Sequence, residues 1–203
     1  MDIQVGKGDI DVPLADDAVQ PAFNADRVAE FRAAFRSESA FRAFYDRALP
    51  RVYGYLVSRC HGDTALAEDL TQVAFTDAIR RRDTYDGRSE ATTWLIGIAR
   101  HKLLDHLRSE ARDEQRRIHL TVREITVDGG SRPWQEIDDR ALLTAALGRL
   151  TAMQQAVLIL HYADGLPVRE VARELKRSES ATESLLGRAR VALREAWQEV
   201  SHD

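Results

Sequence analysis

Residues 165–190 read GLPVREVARELKRSESATESLLGRAR, and the placing of the apolar residues in this stretch decides the fold. Val168, Val171, Ala172 and Leu175 fall three and four apart, the spacing of one buried helix face. Lys176-Arg177-Ser178-Glu179 then breaks the period. Ser180 and Glu183 stand at the spacing of a capping box, which predicts a second helix that runs to about Trp197. Two helices joined by a tight turn, the second opening with small polar residues, form the helix-turn-helix pattern.

That pattern places the first residues of the second helix in the major groove, where short polar side chains reach base edges. Ser178, Ser180, Thr182, Glu183 and Ser184 occupy those positions. Arg188, Arg190 and Arg194 follow on the same helix, and Arg169, Lys176 and Arg177 precede it, as cations for backbone phosphates. An ordinary helical hairpin with a solvated charged face has the same spacing, so spacing alone leaves both readings open.

Working towards the N-terminus, helices are expected from about Ile137 to Arg149 and from Met153 to Tyr162, with Thr151 as a cap and Gly165 as a stop. Between about 110 and 135 the apolar period is lost, and the run Asp128-Gly129-Gly130-Ser131-Arg132-Pro133 is dense in chain breakers. This reads as a linker. The alternation over 121–127 suits a strand, but a strand without partners is unstable. From about Ser39 the helical pattern returns with Phe41, Phe44, Tyr45 and Ala48, with a break expected at Pro50 and a second stretch from Val52 to Arg59. Asp63 or Thr64 can cap the next helix, in which Leu66, Leu70, Val73, Ala74 and Ile79 make the expected inner face and Glu68, Asp69 and Gln72 an acidic outer one. Ser89 can cap a long helix carrying Trp94, Leu95, Ile98, Ala99, Leu103 and Leu107. The expected architecture is all-α, with an acidic, weakly ordered extension over 1–36 and a helical domain over 37–110. A linker over 111–135 leads to a helix-turn-helix domain over 136–200.

The chain has 203 residues, 44% of them hydrophobic and 31% charged, enough for two small cores. Its net charge of -4 is far from that of a protein that grips DNA unaided. Residues 1–30 alone hold seven acids (Asp2, Asp9, Asp11, Asp16, Asp17, Asp26 and Glu30) against Lys7 and Arg27. Such a tail is either a solvated terminus or a regulatory segment that screens basic surfaces. The single cysteine, Cys60, excludes an intramolecular disulfide and makes a structural zinc site improbable, which suits a reducing cytoplasm. No segment has the form of an export signal or a membrane span. Cys60-His61 is the sole neighbouring pair with nucleophilic character, and no partner for a triad or metal accompanies it. The expectation is therefore a protein that is not an enzyme and needs no cofactor or metal.

Basic and aromatic residues interleave in the 37–110 domain, at Arg80, Arg81, Arg82, Tyr85, Arg88, Trp94, Arg100, Lys102 and Arg108. Cations can follow a backbone while an aromatic face holds an unstacked base. Tyr85 and Arg88, in a turn, are the expected exposed contacts; Trp94 fits a core position equally well.

The run Ala67-Glu68-Asp69-Leu70-Thr71-Gln72, then Tyr85-Asp86-Gly87-Arg88-Ser89, Thr93-Trp94-Leu95, Ile98-Ala99-Arg100 and Asp105-His106-Leu107-Arg108, resembles region 2 of the extracytoplasmic-function (ECF) sigma factors. Leu150-Thr151, Gln154-Gln155-Ala156-Val157-Leu158, Tyr162, Gly165-Leu166 and Arg188-Ala189-Arg190 resemble region 4 of the same family. The resemblance implies a transcription initiation factor that carries bacterial core RNA polymerase to promoters and promotes melting. It implies that Glu68, Asp69, Leu70, Gln72 and Phe75 meet the β′ clamp helices, and that region 4 meets the β flap. It assigns the minus-ten element to Tyr85, Arg88, Trp94, Arg100, His101, Lys102, Asp105 and Arg108. The minus-thirty-five element falls to Arg169, Lys176, Arg177, Ser178, Ser180, Thr182, Glu183, Ser184, Arg188 and Arg190. It also implies an anti-sigma factor that covers the polymerase-binding surfaces.

Four departures from the family pattern stand out. Ala91-Thr92 replaces a frequent Phe-Arg, His101 stands where Asn is common, and Glu183 and Leu185 fall where Lys and Arg are frequent. An altered minus-ten preference and weaker phosphate contacts at the minus-thirty-five element are expected from them. A stand-alone helix-turn-helix regulator is the competing class. The negative net charge and the acidic Glu68-Asp69 patch argue against it.

Overall fold

Several helices begin where a short polar side chain accepts the first free backbone N–H groups. The computed structural model describes residues 23–120 and 139–202. In it, Asn24 caps α1 (Ala25–Ala33), Ser37 caps α2 (Glu38–Val57) and Asp63 caps α3 (Thr64–Arg80), with Asp63 Oδ1 accepting the Leu66 N–H at 2.8 Å. A single 3-10 turn, Arg82–Thr84, leads to α4 (Ala91–Leu120). Beyond the undescribed residues come α5 (Asp139–Gly148) and α6 (Ala152–Leu158), the latter started by the reciprocal capping box of Thr151 and Gln154. It widens into a π-helical turn over Ile159–Ala163, and the chain turns at Gly165, φ +70. The helix-turn-helix is α7 (Val168–Leu175) and α8 (Glu179–His202). Every described element is helical, as expected.

Helices α2, α3 and α4 pack on one another around Val52, Leu56, Leu95, Leu103 and Leu104, all fully buried. Ala48, Ala67, Ala74 and Ala99, also fully buried, let the backbones approach closely. In the second unit α5, α6 and α7 pack on α8 around Val157, Leu160, Val171, Leu185, Leu186 and Ala189.

Several local expectations change. Pro50 lies inside α2 without ending it; the carbonyl that loses its partner, that of Asp46, is on an exposed stretch where water can satisfy it. Val73 and Ile79 are 46% and 37% exposed, because Ala67, Leu70, Thr71, Ala74, Phe75 and Ala78 form the buried stripe and these two fall on its borders. Ser89 precedes α4 rather than capping it, and its carbonyl accepts the Tyr85 hydroxyl at 2.6 Å. The cap of α8 is Ser178, whose Oγ accepts the Ala181 N–H, so Ser180 is already helical.

The extension expected over 1–36 contains a folded helix. On α1, Val28 and Phe31 are buried, and Phe31 sits 4.6–5.6 Å, ring to ring, from Phe35, Phe44, Tyr85 and Trp94. The helix continues through 111–120, where a linker was expected. The alternation at 121–127 and the tail over 1–22 lie outside the described residues.

Candidate nucleic-acid interface

The helix-turn-helix turns on Lys176, in the left-handed region at φ +54, ψ +47. There its N–H bonds the Arg173 carbonyl, and the Arg177 N–H reaches the Ala172 carbonyl at 2.9 Å, the pairing of a Schellman turn. The outer face of α8 then presents Ser178, Ser180, Glu183, Ser184 and Arg188, flanked by Arg169, Lys176 and Arg177, all exposed. Thr182 does not join them: it is 1% exposed, and its Oγ1 donates back to the Ser178 carbonyl at 2.9 Å. Arg190 is turned towards the π-helical segment, where its Nε donates to the Tyr162 hydroxyl at 2.7 Å.

On α4, Arg100, His101 and Lys102 face acids from other elements, and Arg108 an acid of its own helix. Lys102 Nζ lies 2.9 Å from Asp77 on α3, a hydrogen bond that holds the Asp77 carboxyl below its ordinary range. Arg100 and His101 face Glu174 of α7 at 3.8 and 3.4 Å. Arg108 bridges to Asp105 at 2.7 Å and donates to the Glu174 carbonyl. Asp105 and His101 are exposed, and Trp94 is half-buried. The expectation of an exposed Tyr85 is corrected: it is 4% exposed, because Phe31 and Trp94 enclose its ring. Arg88 is exposed and pairs with Asp86 at 3.2 Å.

A third surface is the outer face of α3. Glu68, Asp69 and Gln72 are exposed on it, as expected. Leu70 and Phe75 are not: they are 8% and 5% exposed, Phe75 against the Tyr45 ring at 4.7 Å. The sequence reading missed the exposed Val73 and Ile79, which flank the acidic strip. The signal was present in the alanines at 67, 74 and 78, which mark the inner stripe more sharply than the larger residues do.

The two units meet beside these surfaces. Asp164 accepts from Arg59 Nη2 at 2.7 Å, Arg59 Nε at 3.0 Å and the Tyr55 hydroxyl at 3.0 Å, while the guanidinium lies 3.8 Å from the centre of the Tyr55 ring. Burial, then the Asp164 charge, push the Tyr55 hydroxyl pKa upwards. Among the described residues no helix is long and apolar enough to cross a membrane.

A bundle bearing an acidic strip and a basic face, joined to a helix-turn-helix, defines a bipartite DNA-binding protein of the transcription apparatus. Family models match accordingly: Sigma-70 region 2 over residues 44–113 and Sigma-70, region 4 over residues 140–193. The chain is 33% identical over 168 residues to the ECF RNA polymerase sigma factor SigK of Mycobacterium tuberculosis, covering 80% of this chain and 87% of that one. It is 30% identical to the ECF RNA polymerase sigma factor SigX of Bacillus subtilis, covering 77% and 83%. A structure of the sigma factor RpoE with the anti-sigma factor NepR from Bartonella quintana aligns at 23% identity and a TM-score of 0.48, over 78% of this chain and 96% of that one. The chain belongs to the ECF RNA polymerase sigma factors. It is a transcription initiation factor that binds core RNA polymerase and directs it to promoters.

Proposed function

We propose a division of that activity among the three surfaces, carried by one observation: acidic, basic and short polar side chains are segregated onto three separate helix faces. The outer face of α3, with Glu68, Asp69 and Gln72 and the bordering Val73 and Ile79, docks on the β′ clamp helices. Its charges steer the encounter and fix register, while the two apolar side chains supply area to bury. Leu70 and Phe75 act from inside by holding α3 on the bundle.

The 85–89 turn and α4 take the minus-ten element. Arg88, Arg100, His101, Lys102 and Arg108 follow the backbone, and the half-buried Trp94 offers one ring face to an unstacked base. Tyr85 sets the shape of the turn from within. The N-terminal face of α8 reads the minus-thirty-five element through Ser180, Glu183 and Ser184. Arg169, Lys176, Arg177 and Arg188 hold the phosphates, and Thr182 keeps the helix start rigid. Region 4 as a whole meets the β flap. The division into an extension, region 2, a linker and region 4 follows, with region 2 extended towards the N-terminus to include α1. An anti-sigma factor covering the α3 and α4 surfaces is the regulator this layout suits, and the interior of the cell is where it acts.

The experiment is initiation by bacterial core RNA polymerase on a promoter library, with the protein added, omitted, or carrying Glu68→Lys and Asp69→Lys. Initiation from a distinct promoter class is expected with the wild-type chain, with core affinity about ten-fold weaker in the reversed variant. Specific duplex binding by the protein alone, without initiation, would replace this reading with a stand-alone regulator.

A further inference from the structure

Helix α1 lies outside both segments matched by the family models, yet it touches the loop that precedes α4 at Tyr85, Gly87 and Arg88. Arg27 Nη1 donates to the Gly87 carbonyl at 3.4 Å and to the Arg88 carbonyl at 3.5 Å. Both bonds are long, at the limit of hydrogen-bond geometry, so the guanidinium acts chiefly as a positive charge beside two adjacent carbonyl oxygens. Gly87 has φ +72, and a Cβ there would stand 2.3 Å from the Asn24 carbonyl oxygen. The cap of α1 and the loop therefore touch backbone to backbone. One turn beyond Arg27, Phe31 packs on Tyr85, the first residue of the loop, and on Trp94, in the first turn of α4. The Tyr85 hydroxyl closes the loop on the Ser89 carbonyl. A cavity of about 320 Å³ lies among α1, α2 and the junction of the loop with α4, walled by Arg27, Phe31, Arg47, Arg51, Tyr85 and Glu90.

We infer that α1 is a positioning element for minus-ten recognition, with Arg27 as its positioning residue. By holding the Gly87 and Arg88 carbonyls, Arg27 fixes the direction in which the Arg88 side chain leaves the loop. It also fixes the separation between the loop and α1, and with it the width of the cavity. Both determine which bases of the single strand the loop prefers. This inference rests on the assignment of the 85–89 turn to the minus-ten element.

The test uses the full chain bound to core polymerase and measures open-complex formation on promoters in which each non-template minus-ten base is permuted. Arg27→Ala is expected to flatten the base preference by about five-fold while leaving core affinity and the unfolding midpoint at wild-type values. Arg27→Lys, which keeps the charge but not the fork, should restore part of the preference. Gly87→Ala should change the preference in its own way by forcing loop and helix apart. Arg32→Ala, about 140° round the helix from Arg27, should change nothing. An Arg27→Ala holoenzyme with wild-type base preferences, or with opening reduced by one common factor on all promoters, would overturn the inference if Arg88→Ala still altered the preference. If Arg88→Ala also left it unaltered, the minus-ten assignment of the turn would fall, and the inference with it.

Discussion

Lys176 holds a backbone conformation that suits glycine, in the turn between the two helices of the DNA-reading motif. A non-glycine residue there costs about 1 kcal/mol. If its side chain meets phosphate as proposed, stability and DNA binding pull in opposite directions at this position. Lys176→Gly should raise the unfolding free energy by about 0.5–1 kcal/mol in urea titration. The same variant should weaken duplex minus-thirty-five binding and reduce its salt slope by about one unit. Cys60 gives a second residue-scale outcome. Its thiol is 5% exposed, and burial, helped by Asp63, raises its pKa from 9.0 to about 11. The folded chain thus keeps the proton that the unfolded chain begins to release near pH 9.0, so this contribution to stability is intact below that pH and is lost as pH rises towards 11. The difference in unfolding free energy between wild type and Cys60→Ala should be flat below pH 8 and change above 9; a flat difference throughout would show that the thiol ionises freely. Alkylation of the native protein at neutral pH should be correspondingly slow.

At the scale of the element, α1 shows where sequence reading stops. Its acids, Asp26 and Glu30, made it look like part of a charged tail, and its two buried residues, Val28 and Phe31, are too few to form a visible stripe. The apolar partners of Phe31 are supplied by α2, α4 and the loop between α3 and α4, which no local window contains. Phe31→Ala should therefore cost about 3–5 kcal/mol by urea unfolding, as expected for a buried core aromatic and not for a tail. A loss below about 1 kcal/mol would return α1 to the extension. Helix starts with strong local chemistry, at Asp63 and Thr151, were legible because the cap oxygen and the N–H that donates to it lie within three residues. The faces of α3 and the burial of Tyr85 and Thr182 were not, because they depend on what packs against them. Of the residues expected at the three surfaces, those on an outer face are exposed, while Leu70, Phe75, Tyr85 and Thr182 are buried and support it from within.

For the molecule as a whole, the contact between the two units bears on the proposed minus-ten role of the α4 cations, because two of them are paired across it. Two sets of ion pairs cross it, and their burial separates them. The Arg59–Asp164 side chains are 14% and 5% exposed, and the carboxylate also accepts from Tyr55. Leaving either ion without its partner costs about 3–5 kcal/mol at such burial. Glu174 is 22% exposed and faces Arg100 and His101 at 3.8 and 3.4 Å, with His101 half in solvent. Pairs of that kind contribute about 1 kcal/mol or less. Asp164 is therefore the stronger fastener between the units, and Glu174 a weak partner of the α4 cations. Asp164→Ala should separate the units, read as a longer distance between fluorophores placed on α3 and α8. Glu174→Gln should leave that distance unchanged. Because it removes a negative charge beside Arg100 and His101, it should tighten binding of a single-stranded minus-ten oligonucleotide by about two- to five-fold at low salt. The gain should shrink as salt rises, since the competition it relieves is electrostatic; a gain independent of salt would mean that α7 blocks the strand by its bulk, and that Arg100 and His101 are not the groups being freed.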